Sequence, residues 1–269
     1  MSEDPRDWFD GRARVLFVHA HPDDETITTG GTLAALAEAG REPLLVTLTR
    51  GERGEVVAGP LAALAGAHGL AVVRQNELRT ALGMLGLERH AFLGAPPARA
   101  AGLPPTIYED SGMRWGPDGR AEADGAAGAD ALTSAPAVEV IADLLAAADA
   151  AGAGAIVSYD DGGGYGHPDH VLAHRASRAV ALALGLPFWE ILGGAEAAAA
   201  TAGDDPDPRH LRAEAHDVSP WLDRKTAALR AHGTQLVVDG ADLVHVGGQR
   251  ESIGTTEAFA LRAAPQAGD

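Results

Sequence analysis

Two short segments of this sequence place histidine beside aspartate in a pattern that suits metal chemistry. The first reads His-Pro-Asp-Asp and the second reads His-Pro-Asp-His. Two imidazoles and one carboxylate with an open position form the donor set of a catalytic zinc site. The acid and the histidine that remain could serve as general base and general acid. The side chains that these segments supply are His21, Asp23, Asp24, His167, Asp169 and His170.

Each segment alone has a simpler structural interpretation. Aspartate after proline is common at the start of a helix, where its carboxylate accepts free backbone N–H groups. The glycines of "DGGGYG" before the second segment are also compatible with a flexible turn. Two such clusters, each after an apolar run, are better explained by a shared metal site. Spacing does not decide whether His167 or His170 binds the metal.

The apolar runs before the two segments predict buried strands that end where the chemistry begins. "RVLFVHA" (14–20) precedes the first segment and "AIVSY" (155–159) precedes the second. Buried strands alternate with helical segments, which indicates βαβ units and an α/β fold with a Rossmann-like, mostly parallel sheet flanked by helices. Ligands bind outside the carboxyl ends of such strands. Further strands are predicted at 43–49, 90–94 and 187–192, and helices at 30–40, 61–86, 138–152, 170–185 and 219–235.

The pattern divides the chain into a polar tail, a core and an extension within one domain. Residues 1–13 are polar, residues 14–193 carry the α/β pattern, and residues 194–269 are expected to pack on that core as a smaller C-terminal extension. Residues 95–136 are rich in proline and glycine. We expect no regular structure there, because long stretches of this kind are usually functional lids or disordered insertions.

Composition excludes several classes of protein. The 38 acidic residues against 21 lysines and arginines give a net charge of -17, which disfavours nucleic acid and anionic membranes as partners. The chain has no cysteine, so disulfides and thiolate metal ligands are excluded. No apolar stretch is long enough to span a membrane, and the N-terminus does not look like a secretory signal. We therefore expect a cytoplasmic protein; its oligomeric state is not predictable from the sequence.

The paired segments also resemble a known family. "AHPDDE" after a first strand, followed later by "GHPDH", resembles the PIG-L/LmbE family of zinc-dependent N-acetylglucosaminyl deacetylases. The resemblance covers residues 14–194 and returns at 225–235. "GERGEV", "ELRTALGMLG", "EDSGM" and "DGGGYGHPDH" are most similar to the mycothiol-pathway branch, which implies N-acetylglucosaminyl-inositol as the substrate. Gly166 favours that deacetylase over the related mycothiol S-conjugate amidase, which has proline there.

The resemblance implies a role for each matching residue. It makes His21, Asp24 and His170 the zinc ligands and Asp23 the general base. It makes His167 the acid or the oxyanion-stabilising histidine, with Asp169 beside it to orient it, and Tyr165 a mobile stabiliser of the tetrahedral intermediate. It also implies contacts of the substrate's sugar and inositol with Glu55, Arg74 and Asp110. His232 lies in a matching stretch without an assigned role, and ferrous iron would suit the same metal ligands.

Three alternatives to this activity differ in how well they fit the sequence. A mycothiol S-conjugate amidase or a deacetylase for another N-acetylated sugar would use the same chemistry on a different small molecule. A non-catalytic sugar-binding protein could retain the fold, but it would be expected to lack a metal ligand or the base. No such residue is missing, so the sequence favours an enzyme.

Overall fold

A seven-stranded sheet crosses the part of the chain that the computed structural model describes, residues 4–65, 69–203 and 207–262. Its strand order is β3-β2-β1-β6-β7-β12-β8. The strands are β1 Val15–His19, β2 Leu44–Thr47, β3 His90–Phe92, β4 Arg114–Trp115, β5 Ala121–Glu122, β6 Ala155–Tyr159, β7 Phe188–Leu192, β8 His210–Asp217, β9 Leu236–Asp239, β10 Asp242–His245, β11 Arg250–Ser252 and β12 Thr256–Arg262. The helices are α1 Trp8–Gly11, α2 Asp24–Glu38, α3 Leu70–Leu85, α4 Ala137–Ala151, α5 Pro168–Leu184, α6 Gly194–Thr201 and α7 Leu222–Ala231.

The central strand β1 is apolar throughout because both of its faces are covered. Leu16 and Val18 belong to the core shared with α4 and α5. Val15 and Phe17 point the other way, into the core shared with α2, α3 and α7. Strands buried on both faces read as continuous apolar runs, which is why the sequence signal was strong here. The predicted α/β fold with a mostly parallel sheet is confirmed.

Two predicted helices begin elsewhere than expected. Helix α2 starts at Asp24 rather than at residue 30, because its first turn is polar and faces the sheet edge where the histidines gather. The segment 61–86 is helical only from Leu70, after a short 3-10 helix at Ala62–Leu64. Residues 66–68 of that prediction, which include His68, lie outside the described residues.

The segment 95–136 was expected to lack regular structure, and this is wrong for part of it. Arg114–Trp115 and Ala121–Glu122 pair as an antiparallel hairpin, β4–β5. A 3-10 helix follows at Leu132–Ser134. The strands are too short and too polar for sequence periodicity to reveal them.

The segment beyond β7 adds strands that the sequence did not predict. β12 lies between β7 and β8 and is antiparallel to both, so it extends the parallel sheet with an antiparallel edge. β9, β10 and β11 form a separate antiparallel sheet. Among the described residues, no helix combines the length and the apolar character needed to cross a membrane.

Candidate metal centre and active site

The two His-Pro-Asp segments meet because the strands that precede them are neighbours. β1 and β6 pair in parallel, with Leu16 opposite Ile156, so their carboxyl ends lie side by side. His21 follows β1 in the turn before α2. His167 caps the start of α5 after the glycine-rich loop that follows β6. Distant parts of the chain thereby supply one cluster at the sheet edge, as the topology predicts.

Three donor atoms of this cluster lie at nearly equal distances from one another. His21 Nδ1 is 3.2 Å from His170 Nε2. Asp24 Oδ2 is 3.3 Å from each of those nitrogens. A tetrahedral zinc ion with bonds of about 2.0–2.1 Å holds its ligands about 3.3–3.4 Å apart. The triangle therefore has the dimensions of three ligands around one such ion.

The charge of the centre also favours a cation. Burial would lower the pKa of His21, but Asp110, Asp169 and Asp24 outweigh it and raise that pKa well above its ordinary value. Burial would likewise raise the pKa of Asp24, but His170 and His21 hold it well below its ordinary value. Asp24 therefore stays ionised and favours a positive charge beside it. Without a metal, a proton on His21 balances the negative charge of the neighbouring carboxylates. A bound metal cation would balance the same charge.

The second nitrogen of His21 is held by Asp169. Asp169 Oδ2 lies 3.1 Å from His21 Nε2 and also accepts the backbone N–H of Ser111 at 2.9 Å. Histidine ligands commonly donate their free N–H to a carboxylate, which fixes the ring and its tautomer. Asp169 was expected to orient His167. Its carboxylate hydrogen bond is to His21, and it reaches His167 through its backbone N–H at 3.1 Å.

Two looser groupings share the same space. The donor atoms of His21, His167 and His170 lie within 4.8 Å of one another, as do those of His21, Asp110, His167 and Asp169. The triangle of His21, Asp24 and His170 is tighter and matches a single ion better. His167 is then not a ligand of the proposed ion, and its Nε2 can contact a substrate bound beside that ion.

Asp23 occupies a strained backbone position beside the triangle. Its φ is +112°, a region that residues other than glycine rarely adopt. Strain of this kind persists at functional sites, where the surrounding structure holds it. Although Asp23 is the N-cap of α2, its side chain makes no capping hydrogen bond. The helix-cap interpretation of this aspartate is therefore wrong, and its carboxylate is available for chemistry.

The environment of Asp23 suits a proton acceptor. Burial and the neighbouring charge of Asp24 raise the pKa of Asp23 to about 7, against a lowering effect from His232 and Arg74. A base with a pKa near the working pH can accept a proton and later return it. The two aspartates are thus differentiated by their surroundings, since the pKa of Asp24 shifts in the opposite direction.

A buried pair lies behind Asp23. Glu25 Oε2 accepts the backbone N–H of Asp23 at 3.0 Å, and Glu25 Oε1 is 3.2 Å from His232 Nε2. Gln235 lies 3.3 Å from the other nitrogen of His232. Burial opposes ionisation of both members, but their contact lowers the pKa of Glu25 and raises that of His232. This gives His232, left without a role in the sequence analysis, a place in the support of Asp23.

His167 is oriented by a backbone group. The N–H of Asp169 donates to His167 Nδ1 at 3.1 Å, so the neutral ring carries its proton on Nε2. Burial, together with the nearby His21 and His170, lowers the pKa of His167 to about 3. The ring is therefore neutral at physiological pH and presents an N–H donor to the centre.

Two tyrosines contact the centre in different ways. The Tyr159 hydroxyl donates to Asp24 Oδ2 at 2.8 Å, and its ring stacks on His170 at 4.1 Å. Tyr165 is 43% exposed, and its ring centroid lies 5.0 Å from that of His170. Tyr165 therefore lies at the mouth of the site with part of its side chain in solvent, while Tyr159 forms part of its wall.

The three expected substrate contacts occupy different settings. Asp110 is buried, with Oδ1 3.7 Å from His21 Nε2 and 4.0 Å from His167 Nε2. Arg74 is buried and donates to the backbone carbonyls of Gly51 and Glu55. The Glu55 residue is exposed on that loop. The structure thus brings Asp110 to the metal centre, while Arg74 braces the loop that presents Glu55.

Three further residues at the site were not predicted from the sequence: Glu25, Tyr159 and Ser111. Glu25 directly follows the first segment, and Tyr159 is the last residue of a predicted strand, so position offered a signal for both. No local pattern distinguishes Ser111, whose backbone N–H contacts Asp169. Burial of their polar groups is what identifies them, and burial is a property of the folded chain.

A protein-family match covers both His-Pro-Asp segments. The family described as PIG-L, GlcNAc-PI de-N-acetylase, matches residues 16–181. That range contains the proposed triangle, Asp23 and His167.

Curated relatives match over most of the chain. A protein of Kineococcus radiotolerans named 1D-myo-inositol 2-acetamido-2-deoxy-alpha-D-glucopyranoside deacetylase is 39% identical over 259 residues, covering 84% of this chain and 70% of its own. A protein of the same name from Acidothermus cellulolyticus is 39% identical over 253 residues, covering 84% of this chain and 80% of its own.

Solved structures share the fold. The deacetylase of teicoplanin biosynthesis, in complex with teicoplanin, aligns with a TM-score of 0.61 and 21% identity, covering 93% of this chain and 98% of its own. The N,N'-diacetylchitobiose deacetylase of Pyrococcus horikoshii aligns with a TM-score of 0.51 and 21% identity, covering 86% of this chain and 72% of its own. The match over residues 16–181 and the relatives above 30% identity place the protein in the PIG-L family.

Proposed function

We propose that this protein removes the acetyl group of an N-acetylglucosaminyl compound by hydrolysis, with N-acetylglucosaminyl-inositol as the substrate and zinc as the metal. The observation that carries the proposal is the triangle of His21, Asp24 and His170, with the strained Asp23 beside it. The names of the curated relatives support the substrate.

In this proposal His21, Asp24 and His170 hold the ion. When bound, a divalent metal polarises an amide carbonyl and makes water a stronger nucleophile near neutral pH. Asp169 keeps the His21 ring in place through its carboxylate. Tyr159 does the same for Asp24 through its hydroxyl. Supporting partners of this kind fix both the orientation and the charge of metal ligands.

Asp23 moves the proton. As the oxygen of water adds to the carbonyl carbon, Asp23 accepts a proton from that water. When the C–N bond breaks, the protonated Asp23 returns the proton to the departing nitrogen, leaving a free amine and acetic acid, which then ionises to acetate in water. A carboxyl with a pKa near 7 can perform both steps.

His167 and Tyr165 stabilise the negative oxygen that develops on the former carbonyl. The neutral His167 donates from Nε2 without giving up its proton, since its low pKa makes the imidazolium form scarce. A metal cation nearby would lower that pKa further. Tyr165 donates from its hydroxyl at the mouth of the site. Fixed donors aimed at such an oxygen commonly account for a large part of catalysis.

We assign to Asp110 and Glu55 direct contacts with the substrate, and to Arg74 an indirect role through the loop that it braces. Asp110, close to His21 and His167, would accept a hydrogen bond from a hydroxyl of the amino sugar itself. Glu55, exposed on the loop that Arg74 braces, would contact a more distant hydroxyl. Buried polar groups that match a substrate hydroxyl discriminate strongly against compounds that lack it.

An amine-release assay tests the proposal. N-acetylglucosaminyl-inositol, plain N-acetylglucosamine and a mycothiol S-conjugate are compared before chelation, after chelation, and after return of zinc or of ferrous iron under anaerobic conditions. We expect release of amine chiefly from the inositol-linked sugar, loss of activity on chelation, and recovery with zinc. Preferred cleavage of the S-conjugate would replace the substrate assignment, and activity that survives full metal removal would contradict the mechanism.

A further inference from the structure

The hairpin β4–β5 is fastened to the loop that carries Tyr165. The backbone N–H of Ala121 donates to the carbonyl of Tyr165 at 2.9 Å. Arg120 donates to the carbonyls of Gly162 and Gly164 in the same loop. Gly166 allows this approach, since a Cβ there would lie 2.7 Å from the Ala121 carbonyl oxygen and its φ is +103°.

The other end of the same segment is tied to the loop between β2 and α3. Arg53 donates to the carbonyl of Ala126 at 2.7 Å and pairs with Asp124 at 3.3 Å. Its backbone N–H also reaches Asp110 at 3.3 Å. The segment from β4 to Ala126 therefore spans the space between two loops that border the metal centre. Because this segment is anchored at both ends, its side chains are held in defined positions beside the site.

Trp115 is the aromatic side chain that this hairpin presents. Trp115 is 55% exposed and Tyr165 is 43% exposed, and among the described residues no other tryptophan, tyrosine or phenylalanine is as exposed. Their ring centroids are 5.9 Å apart, and Tyr165 lies 5.0 Å from the metal-centre residue His170. Aromatic rings thus lead outward from the proposed metal position, with Trp115 one ring beyond Tyr165.

The position and charge of the site indicate what would cover Trp115. A substrate amide at the metal places the amino sugar near Tyr165, and the next ring of the substrate near Trp115. The protein carries a net charge of -17, and the site holds several carboxylates, so an anionic group is disfavoured there. A neutral cyclic polyol has a C–H face that can cover an indole ring while its hydroxyls remain in water.

We propose that Trp115 is a specificity residue, a platform on which the cyclic polyol linked to the amino sugar stacks. The inference rests on the proposed deacetylase function and adds a binding contact outside the metal centre. It assigns to the hairpin the task of recognising the part of the substrate that does not react. Trp115 contributes no proton and no metal contact.

Steady-state kinetics test the platform with Trp115→Ala and Trp115→Phe, each assayed on the inositol-linked sugar and on plain N-acetylglucosamine. Trp115→Ala should lower kcat/KM on the linked sugar about three- to tenfold, mainly through KM, the scale of one aromatic contact. Trp115→Phe should recover most of the loss. Plain N-acetylglucosamine should be affected by neither change. Leu211→Ala, an exposed apolar residue on β8, is the control.

Fluorescence gives a second readout that does not depend on turnover. Of the four tryptophans, Trp8 and Trp189 are buried and Trp221 is half-buried, so acrylamide should quench Trp115 the most. In an Asp23→Asn background, which we expect to bind the substrate without efficient hydrolysis, the linked sugar should protect the tryptophan signal from acrylamide. The protection should vanish when Trp115→Phe is added.

The outcomes separate the two proposals. Wild-type protein that releases no amine from any of the sugars would overturn the proposed function. Suppose that the wild type turns over normally and that Trp115→Ala loses equal activity on the linked and plain sugars. The contact would then lie at the amino sugar, and this inference would be overturned. Unchanged kinetics together with unprotected fluorescence would also overturn it.

Discussion

Glu25 accepts the backbone N–H of Asp23 at 3.0 Å, and this contact holds Asp23 at a φ of +112°. The base of the proposed reaction is thus positioned by the residue two places after it. On its other oxygen, Glu25 meets His232, which comes from the far end of α7. The geometry of Asp23 therefore depends on the packing of a helix from the C-terminal part of the chain.

Glu25→Gln should impair catalysis without removing the metal. A glutamine side chain has only one acceptor oxygen, so either Asp23 or His232 loses its partner. We expect kcat to fall about ten- to a hundredfold, the scale of a misplaced catalytic group, with little change in KM. Kinetics and metal analysis of the purified variant check this. Glu38→Gln, at the exposed end of the same helix, is the control; normal kcat in Glu25→Gln would remove Glu25 from the positioning of Asp23.

Asp23→Asn should retain metal and lose activity about a hundredfold or more, the usual scale for a general base. The base must be deprotonated, so wild-type kcat/KM should rise with pH through an apparent pKa of about 7 or below, since bound metal lowers it further. The variant should lack this rising limb. Loss of metal in the same proportion as activity would instead identify Asp23 as a ligand.

The same substitution should stabilise the metal-free protein at neutral pH. The folded pKa of Asp23 is raised from 3.8 to about 7, so the stability associated with its protonated form is present at low pH and is lost as the pH rises through about 7. Asparagine has no charge to bury. Thermal unfolding of chelated samples between pH 4 and pH 8 should therefore show a smaller loss of stability for Asp23→Asn; parallel curves would argue against the raised pKa.

His170→Ala should lower metal content and activity together while the fold persists. His170 supplies one corner of the donor triangle, and two remaining ligands hold a divalent ion weakly. Metal analysis after dialysis, with circular dichroism as a test of folding, checks this. Arg175→Ala alters an exposed residue of the same helix and should change neither quantity. Full metal occupancy with normal turnover in His170→Ala would exclude His170 as a ligand.

Lys225→Met should destabilise the fold by about 3–5 kcal/mol, as expected when one partner of a buried ion pair is removed. Lys225 Nζ is 2.8 Å from Glu257 Oε1, and Glu257 also accepts the backbone N–H groups of Gly31 and Thr32. Denaturant unfolding measures the effect. Arg224→Met breaks a neighbouring exposed pair and should change stability by less than about 1 kcal/mol. Equal effects of the two substitutions would contradict the role of burial.

The meeting of the two His-Pro-Asp segments was predictable, because each segment is visible in the local sequence and the pattern occurs twice. His21 and His170 each lie within two residues of an aspartate, in segments that come after apolar strands, and parallel topology brings such strand ends together. The partner of Asp169 was not predictable, because its choice of His21 depends on side-chain directions at the site.

The residues and strands that the sequence did not predict depend on long-range contacts. Glu25 and His232 are adjacent in space, but nothing local in either segment points to the other. Strand β8 carries charged residues along its length, so it lacks the continuous apolar run that revealed β1, and in β12 the apolar run is limited to residues 258–261 between charged residues. Their assignment to the sheet follows from pairing partners that the sequence does not specify.

The position of β12 between β7 and β8 determines the order in which the sheet can form during synthesis. The ribosome releases β8 well before β12, yet β8 has no neighbour in the central sheet other than β12 among the described residues. The nascent chain can pair β1, β2, β3, β6 and β7 while translation continues, but β8 must wait. We therefore expect the sheet to be completed only after β12 leaves the exit tunnel. Until then the outer edge of β7 is unpaired, and the nascent protein depends on protection of that edge.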